Sequence, residues 1–151
     1  MVKKQYIASN YIRRQSADWK TGKKNMVFGF TYLVFTMILG LYLNARITGG
    51  SEFLIPADRS MLSSALLYAN IDAVLNIAVG YLICRLPFVD WLGKSVSALM
   101  LVGAILHSGM LYAAGLGFFP FATALLPVGI IMIAIVVFVM SLGVISLKTI
   151  K

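Results

Sequence analysis

One apolar segment, 61-MLSSALLYANIDAVLNIAVGYLIC-84, contains a single charged residue, Asp72, near its centre. A segment of this length can cross a bilayer, because a transmembrane helix needs about 20 residues. A carboxylate at the middle of a bilayer costs about 3 kcal/mol on insertion scales, so such a residue faces a partner or a polar cavity. Asp72 is therefore the first candidate for a functional residue in this segment.

The composition is that of an integral membrane protein. Hydrophobic residues make up 60% of the 151-residue chain and charged residues 12%, whereas about 25% of a soluble domain is charged. No segment alternates polar and apolar residues as a transmembrane β-barrel requires. The net charge of +8 does not indicate nucleic-acid binding, because no basic helix or RNA-binding signature accompanies it. We therefore expect the lipid bilayer, and not nucleic acid, as a partner.

The apolar runs predict four membrane spans, over residues 26–44, 61–84, 95–114 and 121–147. The last two must be separate, since residues 95–147 carry no formal charge and would extend about 80 Å as one helix, against a hydrocarbon core of about 30 Å. The break is placed at 115-GLGFFP-120, a concentrated helix-breaking sequence. Pro127 is expected inside the fourth helix, where it would remove a backbone hydrogen bond and introduce a kink.

Outside the spans, residues 1–25 are interpreted as a basic juxtamembrane tail and residues 26–151 as the transmembrane domain. The loop after the first span is predicted to include Gly49, Gly50, Glu52, Pro56, Asp58 and Arg59. The loop after the second span follows Pro87 and is predicted to include Asp90, Trp91 and Lys94. Basic residues that flank the membrane are candidates for setting topology or contacting anionic lipid; they are Lys20, Lys23, Lys24, Arg85 and Lys94.

Orientation is predicted from the positive-inside rule. All but two of the 13 lysines and arginines lie on the side that holds both termini and the loop after the second span, the exceptions being Arg46 and Arg59. We therefore predict an all-α integral membrane protein, a bundle of four transmembrane helices with short loops. Both termini should be cytoplasmic, in a cytoplasmic or plasma membrane.

The second span has a face of small residues that is polar at its middle. Residues three or four apart share a helix face, and on this face they are Ala65, Ala69, Asp72, Ala73, Asn76 and Gly80. Small residues allow close helix approach, and the polar ones can hydrogen-bond between helices. Asn70 points away from Asp72 and is expected to bond another helix or another subunit.

Further packing positions are expected at Thr36 and Gly40, four residues apart in the first span, and at Gly103 in the third. Gly103 precedes His107 by one turn and would leave space beside its imidazole ring.

His107, the single histidine, is expected to meet Asp72. Counted from the same side of the membrane, both residues lie about 18 Å deep at 1.5 Å per residue. The two spans are antiparallel and joined by a short loop, so they should be neighbours. A hydrogen bond or ion pair between the two would ease the burial of both, and it could also carry a proton. Structural or docking use, proton or substrate chemistry, and metal or haem ligation all stay open.

No metal, cofactor or catalytic residue is assigned. Within the predicted spans, one histidine, one aspartate and scattered methionines are too few good ligands for a metal or haem site. No CxxC, HExxH or glycine-rich phosphate loop occurs, nor any local signature of a catalytic triad.

The four short spans, with a polar second helix that ends Gly-x-x-x-x-Arg from Gly80 to Arg85, resemble small bacterial membrane proteins of the hydroxylaminobenzene-mutase type. The resemblance covers residues 61 to about 87. The second span lacks the histidine expected in that family, so no residue role is carried over.

The features favour a non-catalytic integral subunit of a larger membrane complex, of respiratory or monooxygenase type, that braces a catalytic subunit. Its partners would be other integral membrane subunits and anionic lipid at the basic tail. Two alternatives stay open: a small oligomeric proton-coupled transporter that uses Asp72, and a small membrane enzyme with a site between the second and third spans.

The topology can be tested by cysteine labelling in a variant whose only native cysteine, Cys84, is replaced by alanine. Ser51→Cys and Lys94→Cys should react with a membrane-impermeant maleimide from opposite sides of the membrane, because one span separates the two loops. Labelling of both positions from the same side would contradict the four-span arrangement.

Overall fold

The computed structural model describes residues 2–48, 56–86, 88–118 and 120–148, and nearly all of them are helical. The α-helices are α1 (Val2–Thr48), α2 (Pro56–Arg85), α3 (Asp90–Ala104), α4 (Met110–Gly115) and α5 (Leu126–Lys148). A π-helical turn, Ile105–Gly109, joins α3 to α4, and these three pieces together are called the third helix. A 3-10 helix, Pro120–Leu125, leads into α5.

Four helical segments are long and apolar enough to cross a membrane: Trp19–Ala45, Arg59–Arg85, Asp90–Gly115 and Phe121–Ser146. The described ranges contain no strand, so the predicted all-α four-helix membrane bundle is confirmed. α2 and the third helix lie innermost, since 39% and 44% of their most apolar windows are buried, against 17% for α1 and 28% for the last span.

The backbones of α1 and α2, which run antiparallel, approach closely at glycines. A Cβ atom added at Gly80 would lie 2.5 Å from the backbone oxygen of Gly22 and 2.9 Å from the backbone nitrogen of Met26. One added at Gly29 would lie 2.6 Å from the backbone oxygen of Ala73. Real Cβ atoms essentially never make contacts this short, so larger residues would push the two helices apart.

The third helix packs in the same way against α5. A Cβ atom at Gly129 would lie 2.5 Å from the backbone nitrogen of His107, and one at Gly103 would lie 3.0 Å from Ile133 Cγ1. α5 therefore fills the space at Gly103. This glycine does not leave the expected gap beside the imidazole of His107.

Two apolar clusters occupy the interior. The cluster nearer Arg85 joins α2, α3 and α5 through Val79, Ile83, Leu86, Phe88, Val96, Met100, Val136 and Met140. The other joins α1, α2 and α4 through Leu43, Leu62, Ala65, Ala69, Leu111 and Tyr112. Along α2, Asp72 and Asn76 lie between the two clusters.

Several helix boundaries differ from the predicted ones. α3 begins at Asp90, so Asp90, Trp91 and Lys94 lie in its first turns and not in a loop; an acidic residue in the first turn interacts favourably with the helix dipole. α2 begins at Pro56, because proline suits the first turn of a helix, and the charged residues 58 and 59 are therefore helical as well. Gly49, Gly50, Glu52 and Pro87 lie outside the described residues.

α1 also starts before the predicted span. Its membrane-capable part begins at Trp19, so Gly22 and Asn25 belong to the bundle although they precede residue 26. Both are buried while the neighbouring Lys23 and Lys24 are exposed. A lysine can keep its charge in water while its stem lies along apolar surface, so a charged stretch does not mark the end of the bundle.

The connection between the third helix and α5 is a glycine-terminated helix end. Gly117 has φ of 78°, the backbone nitrogen of Phe118 donates to the carbonyl oxygen of Ala113, and that of Gly117 donates to Ala114, each at 3.0 Å. This is a Schellman motif, which satisfies carbonyls at a helix end. Pro127 is the second residue of α5 and lies inside the helical segment Phe121–Ser146. The change from 3-10 to α-helical geometry falls between Leu125 and Leu126, next to this proline, which has no N–H to donate.

The close approach of α1 and α2 predicts different effects for two glycine-to-alanine changes. Gly80→Ala should destabilise the protein by about 1–3 kcal/mol, because the added methyl group overpacks the interface. Gly93→Ala is the control, since its added Cβ would meet only Ile83 Cγ2 at 3.8 Å and alanine is the better helix former. Thermal unfolding in detergent, followed by circular dichroism, measures both. Equal midpoints for the two variants would contradict this packing.

Candidate functional site

Polar side chains are collected where α1, α2 and the third helix meet. Among the described residues the buried ones are Asn25, Thr36, Asp72, Asn76, Ser97 and Ser108. Together with Tyr32, Asn70 and His107, which hydrogen-bond to them, they are called the polar seam. In an apolar bundle, buried polar groups either hold helices together or carry out chemistry.

Asp72 and His107 are brought together at the middle of the polar seam. His107 Nδ1 lies 3.1 Å from Asp72 Oδ2 and 3.2 Å from Oδ1. The side chain of Asp72 is 1% exposed and that of His107 is 13% exposed. With Nδ1 protonated, the imidazole donates to the buried carboxylate. The ring of Tyr68 lies beside the imidazole, with 4.9 Å between ring centroids.

His107 and Ser108 both lie in the π-helical turn of the third helix. His107 reaches α2 through Asp72, and Ser108 reaches Tyr32 on α1 and also lies beside Asp72. Ser108 Oγ donates to the carbonyl oxygen of Ala104 at 3.0 Å, and Tyr32 Oη lies 2.8 Å from Ser108 Oγ. The hydrogen between these two hydroxyls therefore comes from Tyr32. π-helical turns occur frequently at functional sites.

Asn25 connects three helices at the basic end of the polar seam. Its Nδ2 donates to Asn76 Oδ1 at 3.1 Å and to the carbonyl oxygen of Ser97 at 3.3 Å, while its Oδ1 accepts from Ser97 Oγ. Asn76 Nδ2 donates to the carbonyl oxygen of Asp72 at 2.9 Å. Asn25 and Asn76 are fully buried, and both amide hydrogens and the amide oxygen of Asn25 are used.

Thr36 and Asn70 form the far end of the polar seam. Thr36 Oγ1 lies 2.6 Å from Asn70 Oδ1 and 2.9 Å from the carbonyl oxygen of Leu33. Asn70 thus bonds another helix of the same chain, one of the two alternatives expected for it. Gly40, one turn beyond Thr36, would place a Cβ atom 3.4 Å from Leu66 Cδ2, which is ordinary contact distance.

Four members of the polar seam were not singled out from the sequence: Asn25, Tyr32, Ser97 and Ser108. Those on α1 carried a signal, because Gly22, Asn25, Gly29, Tyr32 and Thr36 are spaced alternately by three and four residues and so share one helix face. Asn25 is the last residue of the predicted basic tail and follows two lysines, so its charged neighbours conceal this signal. Ser97 and Ser108 carried no comparable signal, since serine is common in apolar helices that contain no site.

The remaining predicted residues lie near the seam or at one end of the bundle. Ala69 and Gly80 are buried on the inward face of α2. The basic residues Lys20, Lys23, Lys24, Arg85 and Lys94 are exposed. They lie at the same end, since Gly22 contacts Gly80 and Cys84. The guanidinium of Arg85 lies 5.3 Å from the centroid of the Tyr81 ring.

One buried hydroxyl near the polar seam is unpaired. Tyr112, one turn beyond Ser108, is 6% exposed, and its hydroxyl has no hydrogen-bond partner in the part of the chain that the structure describes. Across residues 2–48, 56–86, 88–118 and 120–148, no three of the His, Cys, Asp and Glu side chains lie together as a metal site would require.

Comparison with protein-family models, with curated proteins and with solved structures finds no match to this chain. The function is therefore proposed from the geometry of the bundle.

The three-helix junction at Asn25 predicts that Asn25→Ala destabilises the protein. The change removes the donor to Asn76 Oδ1 and the acceptor of Ser97 Oγ, which should cost about 1–3 kcal/mol. Ser141→Ala is the control, because Ser141 is exposed and bonds only to its own helix at Val137. Denaturant unfolding in detergent should separate the two variants. Similar unfolding curves for both would show that Asn25 does not hold the helices together.

Proposed function

We propose that this protein is a non-catalytic integral membrane subunit that braces a larger membrane complex. The observation that carries the proposal is the mutual hydrogen bonding of the buried members of the polar seam. Each of the six polar side chains buried in the described residues is bonded within the chain. A catalytic centre needs a group that is free to meet a substrate, whereas interhelical hydrogen bonds that use their donors and acceptors hold a bundle in shape.

The outer surface supports the same proposal. α1 and α5 expose large apolar side chains along their lengths, among them Phe30, Phe35, Ile38, Leu41, Ile131, Ile135, Phe138 and Ile145. In a bilayer, such a surface meets lipid tails or the helices of other subunits. α1 and α5 therefore offer the larger apolar surfaces for contact with partners, while more of α2 and the third helix is buried.

The proposed orientation places both termini in the cytoplasm. The exposed lysines at positions 20, 23, 24 and 94 lie at one end of the bundle together with Arg85, and positive charge is retained on the cytoplasmic side of membranes.

A second candidate function, proton transfer through Asp72 and His107, is favoured by specific observations. The imidazole lies in a π-helical turn and keeps 13% of its side chain exposed beside a carboxylate that is 1% exposed. The buried Tyr112 hydroxyl is unpaired one turn away, and an unsatisfied buried polar group is costly unless it has a use. In this alternative the chain would act as an oligomeric proton-coupled transporter.

Asp72→Asn distinguishes the two functions, because an amide hydrogen-bonds but does not titrate. The full-length tagged protein is isolated from its native membrane in mild detergent, and its partners are identified by mass spectrometry after size-exclusion chromatography. A subunit should elute with a fixed set of integral membrane proteins in constant stoichiometry, and Asp72→Asn should preserve that assembly and its activity.

Asp72→Leu is the paired variant, since it leaves His107 without a partner at a cost of about 1–3 kcal/mol. It should reduce the yield of the assembly. A protein that elutes only as a homo-oligomer would contradict the subunit role. If its proton flux in proteoliposomes is abolished by Asp72→Asn, the transport alternative replaces it.

A further inference from the structure

A groove of about 650 Å³ runs along the exposed side of α1. Its lining consists of Lys20, Lys23, Lys24, Val27, Phe28 and Thr31, which are spaced by three and four residues and so form one stripe of the helix. The stripe is cationic over its first turn and mainly apolar beyond it. From Lys20 to Thr31 it extends about 16 Å at 1.5 Å per residue, close to half of a 30 Å hydrocarbon core.

The cationic end of the groove has charge available for a ligand. Its three lysines are exposed, and within the described part of the chain none of them forms a salt bridge. Arg85 and Lys94 lie at the same end of the bundle but outside the lining of the groove. A phosphate is the anion that clustered lysines at a membrane surface attract.

The apolar end of the groove favours a ligand with a hydrocarbon part over a soluble anion. Val27 is 55% exposed, and Phe28 is half-buried and stacks on Tyr32 with 5.4 Å between ring centroids. These side chains lie below the lysines along the same stripe. The groove therefore matches a molecule with a phosphate at one end and a hydrocarbon chain at the other.

We propose that this groove binds one anionic phospholipid, with the phosphate on the three lysines and one acyl chain along Val27 and Phe28. The sequence alone suggested only a general attraction of residues 1–25 to anionic lipid; the groove defines a single bound lipid and its contacts. Binding does not require a larger complex, so the proposal can fail or succeed independently of the subunit role.

Native mass spectrometry of the full-length protein in detergent tests the proposal. The protein is titrated with phosphatidylglycerol or with phosphatidylcholine of the same acyl chains, and the first binding event is quantified. We expect a preference for phosphatidylglycerol. Lys20→Gln/Lys24→Gln should weaken phosphatidylglycerol binding roughly 25-fold, about fivefold for each lysine at a membrane surface, with phosphatidylcholine unchanged.

Two matched controls distinguish a lipid bound in the groove from a general electrostatic attraction of anionic lipid to the basic end of the bundle. Arg85→Gln/Lys94→Gln removes the same charge from the same end outside the groove and should leave the preference intact. Thr31→Phe narrows the groove without changing charge and should weaken phosphatidylglycerol binding, whereas Leu41→Phe, at an exposed position away from the groove, should not. Circular dichroism and size-exclusion chromatography verify that each variant is folded.

Several results would overturn the proposal: equal binding of the two lipids, an equal loss in the Arg85/Lys94 variant, or normal binding by Thr31→Phe. Displacement of the lipid by glycerol 3-phosphate would also overturn it, because the anion alone would then suffice.

Discussion

Hydrocarbon offers no hydrogen-bond partners, so each polar side chain inside a membrane bundle must find its partner in the protein. The arrangement of this protein follows from that constraint. Asp72, Asn76 and Asn70 lie on one helix, and their partners come from α1 and the third helix. Those two helices can satisfy them only by packing against α2 at one rotation and one depth, so the polar seam sets how the central helices are aligned.

The glycines make these hydrogen bonds possible by letting the helices come close. Gly22, Gly29 and Gly80 bring the backbones of α1 and α2 together on either side of Asn25. A short amide side chain can then reach two neighbouring helices at once. On the other side of the third helix, Gly129 lets α5 approach the backbone of His107. α5 therefore packs against the π-helical turn on the side away from Asp72. The small residues therefore set the distance between helices, and this distance is short enough for the polar side chains to form hydrogen bonds across it.

Most buried polar side chains of the bundle bond to one another, and its outer surface is apolar. The surface of the bundle therefore offers more groups for contact with other molecules than the interior does. The central polar groups are occupied with one another, with the Tyr112 hydroxyl as the exception in the described residues. The peripheral helices present broad apolar faces, and α1 adds a cationic end to its face. This distribution is compatible with contact with the lipid bilayer, and the contact with neighbouring subunits is part of the proposed function. The same interior would suit proton transfer only if a proton moves from one of Asp72 and His107 to the other. A proton that stays in the hydrogen bond between them would serve structure alone.

The sequence by itself determined the class of protein, the number of spans and their approximate limits, because hydropathy and length act locally along the chain. It also predicted that Asp72 and His107 would meet, since both lie at one depth in spans joined by a short loop. Boundary residues such as Asp90 and Pro56 differ from the predicted loop positions, because polar residues and proline fit the first turn of a helix as readily as a loop.

Only the tertiary structure decided the remaining partners of the polar seam. Asn25 and Ser97 are 72 residues apart and Tyr32 and Ser108 are 76 apart, and no local pattern selects such pairs. Whether an asparagine after two lysines is solvated or buried depends on which helix lies beside it, and that is settled by how closely the glycines let the backbones approach. Packing is a property of several helices together, so it becomes visible only when they are assembled.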